Sequence, residues 1–309
     1  MSMVADPFPN FFIVGAPKCG TTTVSNALTR HPNVFFCDPK EPFFWSEDFP
    51  KLRTQERLAC VDDYLQLFRN AEPRHQVIAE GSTNYLYSQV AIPAIMKFNP
   101  QARFLAIVRN PAEAAYSFHD ELVYTSNEDE SNFERAWRMQ DVRRSGQRVP
   151  QTCRAEQWLQ YEKVMSFGEQ LERFFEVVPE PQRLVLLFDD VAKDTRGTYL
   201  KILQFVGLKD DGQCEFDRAK SARQVRFAAV HRFLRLPPKP LAVPMLYFRR
   251  YVAKQNSGMI GQVKRLLVRS RKRPELSPEF HEELKRCFEP EVRRVESLLQ
   301  TDLQHWLAG

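Results

Sequence analysis

The sequence predicts an α/β fold of three layers, with helices on both faces of a central parallel sheet and a P-loop-like strand, turn and helix near its amino-terminal end. Three observations carry this expectation. FFIVG (11–15), QVIAE (76–80), RFLAIVRN (103–110) and RLVLLFDD (183–190) contain continuous apolar runs, the pattern of strands buried on both faces. Helical patterns stand between these runs, and such alternation is what a parallel sheet with crossover helices requires. A glycine-bounded turn, GAPKCGT at 15–21, joins the first strand to the first helix.

In chain order, the strand 11–15 leads through the turn into a helix over 22–30, and helical spacing returns at 61–68 and 90–98. Pro111 stands at a first-turn position and opens a helix over 112–122. Apolar residues recur at helical spacing over 156–178 and again over 190–206. A proline-rich, basic stretch, 236–273, reads as an irregular flap or peripheral helices, and a helical pair, 277–288 and 291–299, closes the chain. With 309 residues and 43% hydrophobic content the chain buries a full core, so residues 1–309 are expected to form a single domain with a basic peripheral region at about 218–274.

Net charge is only +5, yet Arg218 to Pro274 holds sixteen Lys/Arg and no Asp or Glu, so the remainder is acidic. Such a run suits a solvated face, a nucleic acid, an anionic ligand or a membrane surface. Nucleic acid is not expected, because no nucleic-acid motif accompanies the run and few aromatics are interleaved as stacking platforms. The six cysteines form no CxxC pair and have no His at metal spacing, so they read as reduced thiols. MSMVADPFPN has neither the basic start nor the apolar stretch of a signal peptide, and no apolar run reaches ~18 residues. A soluble, cytoplasmic chain without an integral membrane segment is expected.

The N–H groups that open a helix, together with its dipole, favour a phosphate or sulfate. In a GxxxxGK[ST] loop the lysine follows the second glycine and a hydroxyl serves magnesium. Here Lys18 stands inside the loop and Thr21 follows Gly20, so the triphosphate arrangement is broken and a shorter phosphate chain fits better. Gly20 lets the backbone approach closely, Pro17 stiffens the turn, Thr21 and Thr22 offer hydroxyl and N–H donors, and Cys19 is a small filler. Arg109 ends a buried strand, where open α/β sheets bind ligands, and needs an anion: a phosphate, or a carboxylate such as Glu113. Glu41 precedes Pro42, which favours an extended backbone that aims the carboxylate into a cleft.

GAPKCGTTTV resembles the 5′-phosphosulfate loop of sulfotransferases that use 3′-phosphoadenosine 5′-phosphosulfate (PAPS), and IVRNPAEAAYS (107–117) looks like their 3′-phosphate motif through Arg109, Pro111 and Ser117. KEPFFW (40–45) is similar to the KEPxFF segment of bacterial and heparan-type members, and AEGSTNYL (79–86) to the strand end lining their acceptor side. The carboxyl-terminal tail resembles the ending of bacterial members, so the likeness covers nearly the whole chain. It departs at Gly81, where heparan enzymes often carry a lysine, and at Ala114, where many members have an arginine.

The resemblance implies an enzyme that moves a sulfuryl group from PAPS to an acceptor hydroxyl, releases 3′,5′-ADP and requires no metal. The acceptor it favours is a carbohydrate or a glycosylated or secondary metabolite. Pro17, Lys18, Cys19, Gly20, Thr21, Thr22 and Thr23 would form the 5′ loop, with Lys18 on the leaving oxygen. Glu41 would be the base, beside a Lys40 that either contacts the sulfonyl oxygens or is solvated. Arg109 and Ser117 would hold the 3′-phosphate, and AKSARQVRF (219–227), through Ser221, Arg223 and Arg226, the far side of the bisphosphate. His119 is the second candidate for the base, and LAVPMLYFRRYV (241–252) would cover an apolar acceptor. Two rivals stand beside this reading: a magnesium-dependent nucleotide kinase, with Asp189 of RLVLLFDD holding the metal, and a non-catalytic module that binds through 218–274.

Overall fold

The computed structural model describes residues 8–53, 58–216, 223–225, 268–270 and 273–308. These fall in two compact units, Met1–Ala115 with Glu162–Ala219 and Glu282–Gly309, and Tyr116–Tyr161 with Lys220–His281.

The first unit is built on a five-stranded, all-parallel sheet of β1 (Phe11–Gly15), β2 (Val34–Phe36), β3 (Val77–Glu80), β4 (Arg103–Val108) and β5 (Arg183–Leu187), in the order β2-β3-β1-β4-β5. Every residue of β1 is buried, as are five of the six in β4, because helices cover both faces. Phe12 stacks on Phe104 with ring centroids 5.6 Å apart, in the register that pairs the two residues. Burying a side chain of this kind contributes about 1.5–3 kcal/mol. After β1 the chain crosses to the edge strand β2, returns to β3 beside β1, and then passes to β4 and β5 on the other side. The order therefore reverses between β1 and β4, which is where open α/β sheets bind ligands at the carboxyl ends of their strands.

The helices that matter for the site are α1 (Thr21–Thr29), α2 (Val61–Leu65), α3 (Ala91–Phe98), α4 (Pro111–Tyr124), α5 (Phe167–Val177), α6 (Phe188–Lys193), α7 (Thr195–Val206) and α8 (Pro278–Leu299). Val24, Ala27 and Leu28 give α1 its buried face, and Phe167, Leu171 and Phe174 give α5 its own.

The three-layer parallel fold is as expected, but several boundaries differ. The strand β2 was not anticipated; VFF is only three residues long, too short to offer a periodicity. The stretch 156–178 is broken into Glu156–Leu159, Tyr161–Val164 and α5. The strand expected over 183–190 stops at Leu187, and Asp194 separates α6 from α7 by accepting the Gly197 N–H at 2.7 Å as an N-cap. The closing helical pair is one helix, α8, which runs through Pro290; burial of Leu284, Phe288, Val292 and Val295 on one stripe outweighs the single N–H that proline lacks.

The second unit has an aromatic core in which Phe133 meets Trp137, Tyr161 and Phe280 edge-on. Within it Arg143 and Glu128, both with fully buried side chains, form a two-pronged ion pair, and Tyr161 donates to Glu128 at 2.6 Å. Arg223–Val225 and Val268–Ser270 pair as a two-stranded antiparallel sheet. No helix among the described residues is long and apolar enough to cross a membrane.

Candidate active site

The turn between β1 and α1 is tied to the sheet where the Ala16 N–H donates to the Ile107 carbonyl of β4 at 2.7 Å. Lys18 takes a left-handed backbone, φ 65°, and Gly20, φ 85°, is the N-cap of α1. A side chain at Gly20 would be strained by that φ and would also stand 2.9 Å from the Phe188 ring, so only glycine suits the position. No side chain caps α1 and no acidic residue stands in its first turn, which leaves the positive end of the helix to an incoming anion. Cys19 is fully buried, and burial pushes its thiol up to about 12. Its side chain packs within the turn, Sγ donating to the Pro17 carbonyl at 3.4 Å.

Arg109 follows β4 by one residue. Its guanidinium binds Glu113 through Nε, at 3.0 Å, and through Nη2, and lies 4.5 Å over the ring of Phe188. The ion pair with Glu113, one of the partners anticipated from sequence, is thus formed. Its carboxylate is 57% exposed, and an exposed i,i+4 pair holds by less than about 1 kcal/mol, little enough for a phosphate to replace it. Phe188 touches both predicted anion sites, with one edge against Gly20 and its face under Arg109. The helix mouth and the arginine therefore share one side of the sheet.

Lys40 reaches toward the same mouth, its Nζ 3.4 Å from Thr21 Oγ1 and 3.3 Å from Glu41 Oε1. Thr21 is buried, Thr22 exposed and Thr23 half-buried, so the two hydroxyls named from the sequence have different surroundings. Lys40 links the loop to Glu41. Its stem passes over Gly81, where an added Cβ would lie 3.1 Å from Lys40 Cε.

Sequence reasoning missed three groups. Glu80, the last residue of β3, is fully buried; Ser82 donates to its Oε1 at 2.6 Å and Tyr64 to its Oε2. Burial raises its carboxyl to about 7 against the lowering effect of those hydroxyls. A carboxylate at the end of a run such as QVIAE could have been marked by its position alone. The second group is the tail: Trp306 Nε1 donates to Asp189 at 2.6 Å, His305 Nε2 lies 3.0 Å from the same oxygen, and Asn110 donates to the Trp306 carbonyl at 2.9 Å. Asp189 is thus engaged by the Trp306 indole and lies beside the His305 ring. Among the described residues no group of three or more His, Cys, Asp or Glu could hold a metal ion.

The third is Arg273, in the second unit. It donates to Ser117 Oγ at 3.0 Å and to Asp120 Oδ2 at 2.5 Å, and packs over Tyr116. Ser117 is itself buried. His119, the second candidate for a base, is 1% exposed, set against Phe133 and Tyr161, with Nε2 2.8 Å from the Glu130 carbonyl and its basicity lowered by burial. Arg223 lies in the small antiparallel sheet, whereas Ser221, Arg226 and the stretch 241–252 are outside the described residues.

The sulfotransferase domain family matches residues 8–233. Carbohydrate sulfotransferase 15 of Rattus norvegicus is 31% identical over 157 residues, covering 38% of this chain and 28% of that one. The human bifunctional heparan sulfate N-deacetylase/N-sulfotransferase 3 is 24% identical over 206 residues, 66% of this chain and 23% of that one. The matched stretches thus span under a third of either relative. A crystal structure of a sulfotransferase from Alicyclobacillus acidocaldarius, 22% identical, has the same fold, with a TM-score of 0.71 and coverage of 97% of this chain and 99% of that one.

Proposed function

Because the chain belongs to the sulfotransferase domain family, we propose that it transfers a sulfuryl group from PAPS to a hydroxyl of a carbohydrate acceptor. The observation that carries the donor assignment is the Phe188 ring, which sets the mouth of α1 and the Arg109 guanidinium on one side of the sheet, next to the reversal between β1 and β4. A nucleotide with anionic groups at both ends suits such a pair of cationic sites.

When bound, PAPS supplies an activated sulfuryl group on a phosphate leaving group. The amides that open α1 and Lys18 would hold that leaving group and balance its charge. Arg109 exchanges Glu113 for the 3′-phosphate, and the sequence motif that contains it adds Ser117 as a further ligand. Lys40, held between Thr21 and Glu41, would contact the sulfonyl oxygens, and Glu41 would take the acceptor proton as the hydroxyl oxygen attacks. The carbohydrate assignment is supported by the KEPFFW segment and by the names of the curated relatives.

Calorimetry with 3′,5′-ADP and 5′-AMP tests the donor. The 3′-phosphate is expected to tighten binding by about tenfold or more, the strength of a charged hydrogen bond. Equal affinity, or displacement of 3′,5′-ADP by ATP with magnesium, would overturn the reading in favour of a kinase. Labelled PAPS offered to desulfated heparin and chondroitin oligosaccharides, a phenol panel and a lipid extract tests the acceptor. Label appearing only in the phenols or lipids would overturn the carbohydrate assignment.

A further inference from the structure

We propose that Glu80 is a positioning residue for the Lys40–Glu41 segment, its buried carboxylate orienting the Ser82 and Tyr85 hydroxyls so that they hold the backbone of residues 43–45. The inference rests on the reading of Glu41 as the base.

The segment after β2 is stitched to the end of β3 step by step. Cys37 N–H donates to the Ala79 carbonyl at 3.0 Å and Gly81 N–H to the Lys40 carbonyl at 3.1 Å. Beyond Lys40 the backbone ladder ends, and side-chain hydroxyls continue it: Phe43 N–H donates to Ser82 Oγ at 3.1 Å and Trp45 N–H to Tyr85 Oη at 3.3 Å. Pro42, between Lys40 and Phe43, has no N–H to offer. Glu41 therefore sits between two points of attachment.

A hydroxyl carries one proton, and it presents a lone pair to a backbone N–H only when that proton is directed elsewhere. Glu80 is where the protons go. Ser82 donates to Oε1 at 2.6 Å, Tyr64 donates to Oε2, and Tyr85 also hydrogen-bonds to this carboxyl group. An ionised carboxylate accepts only, which fixes Ser82 and Tyr85 as acceptors toward residues 43 and 45. A protonated carboxyl, or an amide, brings a donor of its own and frees one of those hydroxyls to turn. The titratable groups facing Glu80 are Tyr64 from α2, Tyr85 from its own strand-end segment, and Cys37 and Glu41 from the stitched segment, with Lys40 beside Glu41. Of these Glu41 raises the Glu80 carboxyl, and the tyrosines and Cys37 are themselves pushed upward by burial.

The test compares Glu80→Gln, Ser82→Ala and Glu41→Gln by three readouts. In Glu80→Gln, amide hydrogen exchange at Phe43 and Trp45 is expected to accelerate about tenfold, the equivalent of one hydrogen bond, while the amides of β1 and β4 keep their protection. The affinity for 3′,5′-ADP stays within twofold, and single-turnover transfer from PAPS to the oligosaccharide labelled in the acceptor panel slows by about 10–100-fold through misplacement of Glu41. Wild-type exchange at these two amides, corrected for its intrinsic pH dependence, rises as pH falls through about 7, and that step is absent from Glu80→Gln. Should Glu80→Gln fail to fold, Ser82→Ala is expected to open the Phe43 amide and leave Trp45 protected. Unchanged exchange at 43 and 45, or wild-type transfer in Glu80→Gln where Glu41→Gln has lost it, would overturn the proposal. Wild-type transfer in Glu41→Gln would instead overturn Glu41 as the base, and the exchange data would still decide the role of Glu80.

Discussion

Replacing Glu80 with Gln is expected to change how stability depends on pH, apart from any effect on catalysis. The carboxyl is fully buried, and burial carries it from 4.5 to about 7. Below pH 4.5 it is protonated in the folded and unfolded chains alike and costs nothing. As pH rises toward 7 the unfolded chain releases its proton and the folded chain keeps it, so stability is lost at 1.36 kcal/mol per pH unit. The loss levels off above 7 at about 3 kcal/mol. Gln carries no such proton. The stability of Glu80→Gln relative to wild type should therefore increase by about 3 kcal/mol between pH 4.5 and pH 8, whatever constant offset the altered hydrogen bonds impose. For a chain of 309 residues this is roughly 5 °C in Tm. Tryptophan fluorescence of thermal unfolding at half-unit pH steps reads it, since all other titrating groups are common to both proteins. Melting curves whose separation is the same at pH 5 and pH 8 would show that Glu80 is not held as a buried, raised carboxyl, and would remove the basis for its pH-dependent hold on residues 43–45.

Glu41→Gln is expected to lower the transfer rate by ~10²–10⁴ with 3′,5′-ADP affinity nearly unchanged, as for loss of a general base; single-turnover kinetics and calorimetry check it. Arg109→Ala should weaken 3′,5′-ADP by about 1.5–3 kcal/mol and leave 5′-AMP affected much less, which competition calorimetry separates. Cys19, whose thiol is buried and raised to about 12, should resist a maleimide while the exposed Cys60 and Cys214 react, as peptide mass spectrometry of labelled protein would read. Gly20→Ala, forced into a positive φ against the Phe188 ring, is expected to reduce both stability and 3′,5′-ADP affinity, measured by Tm and calorimetry.

The parallel sheet was legible because the inner strands β1, β3 and β4 are largely buried and so read as continuous apolar runs, and the edge strand β5, though half-buried, keeps an apolar run of its own. The loop and Arg109 were legible because their chemistry is written in adjacent residues. What escaped depends on contacts far apart in sequence. Nothing local marks β2 as a strand; its pairing with β3 makes it one. Trp306 and His305 meet Asp189 across more than a hundred residues, so an aspartate that locally resembles a metal ligand is a docking point for the tail. Arg273 meets Ser117 over a similar separation, and Glu80 acquires its surroundings only when Tyr64 and Tyr85 close over it.

Gly81 shows how a departure from the family pattern takes on physical meaning once the neighbours are known. Where heparan-type relatives often carry a lysine after the strand-end glutamate, this chain has no side chain at all, and the space is filled by the stem of Lys40 and the ring of Phe36, each 3.1 Å from where a Cβ would stand. Lys40 brings a cation to this side of the loop from the β2 side, in reach of both Thr21 and Glu41. A side chain at 81 would require the Lys40 stem and the Phe36 ring to give by a few tenths of an ångström, so glycine suits the packing around Lys40. The same strand end also carries Glu80, so the end of β3 both makes room for the cation and anchors the segment that bears the carboxylate.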